Sequence, residues 1–273
     1  MKIFDFHVHA FPNFLAERAI KTISKNSGEV KPFCDGTIKD LYRVMREAKV
    51  GGALVANIAT KPTQFASILE WSLEIRNEHI VPFASVHPDN PKAPDEISKI
   101  SAKGIRGIKI HPFYQNCACD DTRWFKIYEA CVANNLVILF HAGYDIAFGN
   151  SDLAHPYRFL KIRKLFPKLK IVLAHFGAWR YYDNALLELC QKDFYFDTSC
   201  SVGYCSKDIA QKIIKKHGAE KILFASDCPW GEPKAHVAFI NAITSSDAER
   251  ERIFYRNAEE LLGITVPDTP PAD

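Results

Sequence analysis

The sequence predicts an α/β fold, a (β/α)8 TIM barrel in a single domain, on three observations. Eight apolar runs rich in β-formers alternate with eight helical patterns over 273 residues. Most of these runs are continuously apolar, as expected of parallel strands buried on both faces. Histidines and an aspartate recur where the runs end, the face on which a barrel gathers its loops. The competing arrangement, a doubly wound open sheet, lacks the Gly-x-Gly-x-x-Gly that would follow its first strand.

The strand runs are Ile3–Val8, Gly52–Ile58, Ile80–Val86, Ile105–Ile110, Leu136–Phe140, Ile171–Ala174, Phe194–Asp197 and Ile222–Ala225. Helical spacing falls between them at Ile38–Ala48, Gln64–Glu78, Asp95–Ala102, Arg123–Asn134, Pro156–Phe166, Tyr182–Gln191, Lys207–His217 and Lys234–Ile243. Thr37 is placed to cap the first of these helices, and Pro156 suits a first helical turn after His155. Two short helices, Asp247–Phe254 and Asn257–Leu262, close the pattern. The barrel domain is read as residues 1–265, and the proline-rich 266–273 as a flexible tail. Residues 10–36 and 142–155 are long connections, placed where lids and binding loops sit.

Composition excludes several classes. With 35 basic and 32 acidic residues, the net charge of +3 predicts neither a nucleic-acid nor a membrane partner. No apolar run approaches the roughly 20 residues of a transmembrane helix, and no export signal precedes the first strand. The 8 cysteines lack disulfide-framework spacing and read as reduced thiols in a cytoplasmic protein. Cys117 and Cys119 have no second pair at zinc-site spacing, so they carry no metal reading.

The chemistry lies at the strand ends. His7 and His9 are spaced i, i+2 on the first strand, so they share a face about 7 Å apart. His87, His111, His141, His175 and Asp227 close later strands. One such histidine is commonly structural; in a barrel, all of them surround one site. His7, His9, His141 and Asp227 form a donor set for a single divalent transition metal, zinc foremost, with manganese or iron as alternatives, and leave room for a water. Asp227 can serve as ligand, as base for that water, or as both in turn. His175 is then left as a free acid/base. Asp5 shares the face of His7 and His9 and reads as a buried hydrogen-bond partner. His87 and His155 read as structural.

These pieces resemble the amidohydrolase superfamily in its amidohydrolase-related branch, which includes enzymes like aminocarboxymuconate-semialdehyde decarboxylase. The matching segments are Phe4–His9, Gly107–Pro112, Phe140–Gly143, Ala174–Gly177, Ala225–Gly231 and Arg256–Gly263, in the family's order across nearly the whole chain. The resemblance implies a metal-dependent barrel enzyme. It assigns metal ligation to His7, His9, His141 and Asp227, and substrate activation or proton transfer to His175. Some superfamily members bridge two metals with a carboxylated lysine on strand four. Lys109 stands on that strand, and the reading favoured here is one metal, with Lys109 and His111 facing the substrate. Arg180 and Trp230 are further candidates for binding it.

The expected function is hydrolysis of an amide, ester or lactone in a small molecule by a metal-activated water. The alternative is metal-dependent, non-oxidative decarboxylation of an unsaturated or aromatic acid, for which Arg180 or Lys109 would hold the carboxylate. The motifs do not choose between these reactions. A metal-storing protein is disfavoured, since it would have no use for His175. A homodimer is the expected assembly.

Overall fold

The computed structural model describes residues 1–28, 30–149 and 151–272. Every apolar run becomes a strand: β1 (Phe4–Val8), β2 (Gly52–Ala56), β3 (Ile80–Phe83), β4 (Gly107–Ile110), β5 (Val137–Phe140), β6 (Lys170–Leu173), β7 (Tyr195–Asp197) and β8 (Ile222–Leu223). Pairing is parallel throughout and runs in chain order, β1-β2-β3 and β4-β5-β6-β7-β8. Two seams close these segments into a ring. Ala84 bridges Ile108 between β3 and β4, where the Lys109 N–H donates to the Ala84 carbonyl at 2.9 Å. Val8 bridges Cys228 between β1 and β8, where the Phe6 N–H donates to Phe224 O and the Asp227 N–H to His7 O, both at 2.8 Å. The barrel predicted from the alternating pattern is therefore formed.

The helices are α1 (Asn13–Ser27), α2 (Ile38–Ala48), α3 (Phe65–Ile75), α4 (Ala93–Ala102), α5 (Phe125–Ala133), α6 (Pro156–Leu165), α7 (Tyr182–Asn184, continued as a π-turn over Ala185–Leu189), α8 (Lys207–His217), α9 (Pro233–Ile243), α10 (Asp247–Glu251) and α11 (Asn257–Leu262). Alternation on the strands sorts the core into two layers. Leu54, Val137, Leu139, Val172, Leu223 and Ala225 point inward, and Ala258, Leu262 and Val266 seal one end of the barrel. Val55, Ile108, Ile138, Ile171 and Phe196 point outward against the helices. Among the described residues, no helix is long and apolar enough to cross a membrane.

Two expectations are corrected. The connection 10–36 is not an unstructured loop: fifteen of its residues form α1, ended by Gly28 at φ 63°. The physical signal is Leu15, Ala19 and Ile23 at helical spacing before a C-terminal glycine. The tail from residue 266 is also held. Val266 is fully buried, Lys2 pairs with Asp268 at 3.4 Å, and Arg46 donates to the Ala272 carbonyl at 3.0 Å. Asp273 lies outside the described residues.

His217 shows what a structural histidine looks like in this fold. Its ring stacks on Phe196 at 4.0 Å, Nδ1 accepts from the Gln191 N–H at 3.2 Å, and Nε2–H donates to Phe194 O at 3.0 Å. Burial lowers its pKa from 6.5 to about 4. The unfolded chain therefore binds more protons than the folded one between those values, so stability falls as pH drops through that window. The expected loss is about 3 kcal/mol. Urea unfolding from pH 7 to 4 should show this slope in the wild type and a shallower one in His217→Gln.

Candidate active site

The inward positions at the carboxyl ends of the strands meet at the floor of a cavity of about 520 Å³. His7, His9, Lys109, His111, His141, His175, Asp227 and Trp230 all line it. Arg180 does not. It is exposed, and its guanidinium lies over the rings of Trp179 at 4.6 Å and Tyr144 at 5.7 Å. His87 accepts from the Asp89 N–H at 3.2 Å, and His155 caps α6; neither lines the cavity. Asp5 accepts from the Ser226 N–H at 2.9 Å and the Ser226 hydroxyl at 2.5 Å, tying β1 to β8 beneath the floor. Burial raises its pKa to about 7.

The hydrogen bonds behind the two β1 histidines fix their tautomers. His7 Nδ1 lies 2.9 Å from Asp197 Oδ2, so Nδ1 carries the proton and Nε2 keeps its lone pair. His9 Nδ1 lies 2.9 Å from the Ala56 carbonyl, with the same result. Both Nε2 atoms then approach one carboxylate oxygen, Asp227 Oδ1, at 3.6 and 3.3 Å. Two lone pairs and an anionic oxygen converge as a donor set for a cation, with the Lys109 ammonium beside them, 3.0 Å from His7 Nε2. The donor atoms of His7, His9 and Asp227 lie within 4.8 Å of one another. The chemistry of this set fits a divalent transition metal.

His141 stands apart from that triplet. It stacks on His111 at 4.2 Å, and these two rings with Asp145 form a second group of donor atoms within 4.8 Å. His141 Nδ1 meets His175 Nε2 at 3.1 Å, the far side of His175 meets the Ser199 carbonyl at 3.1 Å, and His141 Nε2 lies 3.2 Å from the Tyr144 carbonyl. Carbonyls only accept, so these three contacts need three ring protons, and two neutral imidazoles carry two. Placing the shortage at His141 Nε2 leaves a lone pair there for a cation and gives His175 an Nε2 that accepts.

Electrostatics agree with neutral rings. Burial, then the Lys109 ammonium, lowers the pKa of His7 to about 4, and burial holds His111 and His141 well below their usual value. His175 is also lowered, again chiefly by burial. Lys109, 0% exposed, has its Nζ 3.0 Å from His7 Nε2, and burial brings its pKa down to about 8. Burial would raise the Asp227 carboxyl, but the attraction of His7, His9 and His175 when a ring carries a proton toward it, His7 foremost, holds it below the ordinary range. His175 and Asp227 both adopt left-handed backbone, at φ 63° and 69°, a strain found where a site fixes its reacting groups.

Two aspartates escaped the sequence reading. Asp197, at the end of β7, is fully buried and accepts from His7 Nδ1, from the His175 and Ser199 N–H groups at 2.9 Å each, and from the Ser199 hydroxyl. Burial alone would raise its pKa, yet these contacts, His7 foremost, bring it to about 2. Its place at a strand end was the available signal. Asp197→Asn is expected to weaken metal affinity about 10–100-fold by releasing the His7 tautomer; metal titration checks this. Asp145 lies in the connection after β5, where Gly143 at φ 95° lets the backbone bridge Trp179; a Cβ there would stand 2.2 Å from the Trp179 nitrogen. Burial raises Asp145 to about 6, and its oxygen lies 3.5 Å from His111 Nε2.

The family model described as Amidohydrolase matches residues 4–264. This chain belongs to the amidohydrolase family. That family is one of metal-dependent enzymes. Solved structures share its fold. The chain is 16% identical to 5-carboxyvanillate decarboxylase from Sphingomonas paucimobilis, with TM-score 0.71 over 97% of this chain and 99% of that one. A second 5-carboxyvanillate decarboxylase, from Novosphingobium aromaticivorans with bound manganese, is 13% identical, with TM-score 0.72 over 96% and 97% of the two chains. A probable 2-pyrone-4,6-dicarboxylic acid hydrolase from Acinetobacter baumannii is 18% identical, with TM-score 0.69 over 97% and 100%. Comparison with curated proteins gives no match.

Proposed function

We propose that this amidohydrolase hydrolyses an ester, lactone or amide bond in a small molecule, using one divalent transition metal held by His7, His9 and Asp227 with His141. The observation that carries this reading is the convergence of the His7 and His9 Nε2 lone pairs on Asp227 Oδ1, at 3.6 and 3.3 Å. When bound, the metal would polarise a carbonyl and lower the pKa of a water beside it, and the imidazole-rich donor set favours zinc over manganese or iron. Asp227, anionic and open to the cavity, takes a proton from the attacking water. The proton Asp227 takes from the water is the one delivered to the leaving group, with His175, whose Nε2 is an acceptor, as the relay. Lys109 places positive charge where an oxyanion develops or a substrate carboxylate lies.

That last feature favours decarboxylation as a second reading. Lys109 is a buried ammonium on the cavity floor and can hold a carboxylate there. One series of assays separates the two. Protein purified without chelator is analysed for metal, then assayed for ester, lactone and amide hydrolysis and for CO2 release from aromatic and unsaturated acids. Hydrolysis that follows metal content supports the first reading. CO2 release without hydrolysis overturns it in favour of the second, and failure to bind any divalent metal overturns both.

A further inference from the structure

The cavity has a second half that the chemistry above does not use. Phe11, Leu15 and Ile23, on one face of α1 and the turn before it, line the cavity and belong to neither hydrophobic core cluster among the described residues. Ile68 and Trp71 of α3 line it too. All five are only partly buried; Ile68 and Trp71 rest on the outer core, whereas Phe11, Leu15 and Ile23 pack on neither cluster, so the α1 side of this apolar surface stays open to the cavity. The indole N–H of Trp71 is buried without a hydrogen-bond partner among the described residues. The same cavity reaches His7, His175 and Asp227 without interruption. From Leu15 to Ile23 along α1, which begins soon after His9, this apolar face extends over roughly 12 Å.

We propose that the substrate carries an extended apolar arm, an aliphatic chain or ring system remote from the bond that reacts, seated between α1 and α3. An apolar helix face left open to water forgoes about 25 cal/mol for each Å² it could bury. A ligand joined to a group on the polar floor covers that face and gains specificity from it. Phe11, Leu15, Ile23, Ile68 and Trp71 are thus the specificity-determining residues, and the substrate class is an amphipathic carbonyl or carboxyl compound. This rests on the reading under Proposed function only for where the reacting group sits.

The test is binding, without turnover. Straight-chain alkanoates from hexanoate to decanoate are titrated calorimetrically into the metal-loaded protein. Affinity should rise with length, by up to about fourfold per methylene. Leu15→Arg and Ile68→Arg should flatten this dependence, Leu15→Ala should lessen it, and His175→Ala should leave it unchanged; circular dichroism establishes that each variant is folded. Affinity independent of chain length, or unchanged in the arginine variants, overturns the proposal. So does a Leu15→Arg variant that changes a dimer to a monomer while keeping the wild-type chain-length dependence, since α1 would then cover a second copy. A protein that shows the dependence but no metal-linked activity keeps the arm site and loses the proposed reaction.

Discussion

Asp227→Asn is expected to lower kcat/KM by at least about a thousandfold, equivalent to about 4 kcal/mol, and to strip the metal in the same step. One oxygen of this carboxylate faces both His9 Nε2 and His7 Nε2, so the substitution removes the only anionic member of the triplet together with the proposed base. The result cannot be put down to misfolding. Asparagine matches aspartate in shape and tolerates the left-handed backbone at φ 69°. In the metal-free protein this carboxyl is held below its ordinary range, so its loss should lower stability at neutral pH, and thermal unfolding shows that the variant still folds. Thermal unfolding after chelation, metal analysis and steady-state kinetics measure the three parts. An Asn variant with wild-type metal content and activity within tenfold would remove Asp227 from both roles.

The fold was legible because strand burial leaves a strong imprint: eight continuous apolar runs became eight parallel strands in chain order. Four of the runs, those of β2, β3, β6 and β8, were read too long at their carboxyl ends, as with Gly52–Ile58 against Gly52–Ala56, because ladder pairing stops where the chains turn outward into the site. Strand-end histidines were legible for the same reason. Asp197 was not, because an aspartate that closes a strand looks like an ordinary turn residue until its partner His7, 190 residues away in sequence, is brought to it. Arg180 illustrates the opposite difficulty. Its position soon after His175 suggested the cavity, but a left-handed backbone at φ 62° and the neighbouring aromatic rings turn its guanidinium aside. The apolar face of α1 was written in the spacing of Leu15, Ala19 and Ile23, yet its purpose depends on what stands across the cavity, which spacing alone does not give.

His175→Ala and His141→Ala should separate the roles of two rings whose nitrogens lie 3.1 Å apart. His175 is held by Ser199 on one side and His141 on the other, and its Nε2 has no carboxylate of the His7, His9 and Asp227 triplet as a partner. Its loss should therefore leave the metal in place and lower kcat by about 10²–10⁴-fold, with KM little changed. His141→Ala should lower activity and metal content together, since with the missing ring proton placed at His141 Nε2 that nitrogen is the one offered to a cation. The pH profile adds a further test. Burial lowers the pKa of His175 below 6.5, so the neutral ring persists through neutral pH and activity is lost only as pH falls past that lowered value. This acid limb should disappear from the residual activity of His175→Ala. Loss of metal from that variant would instead make His175 a ligand, and the acid/base role would pass to Asp227 and Lys109.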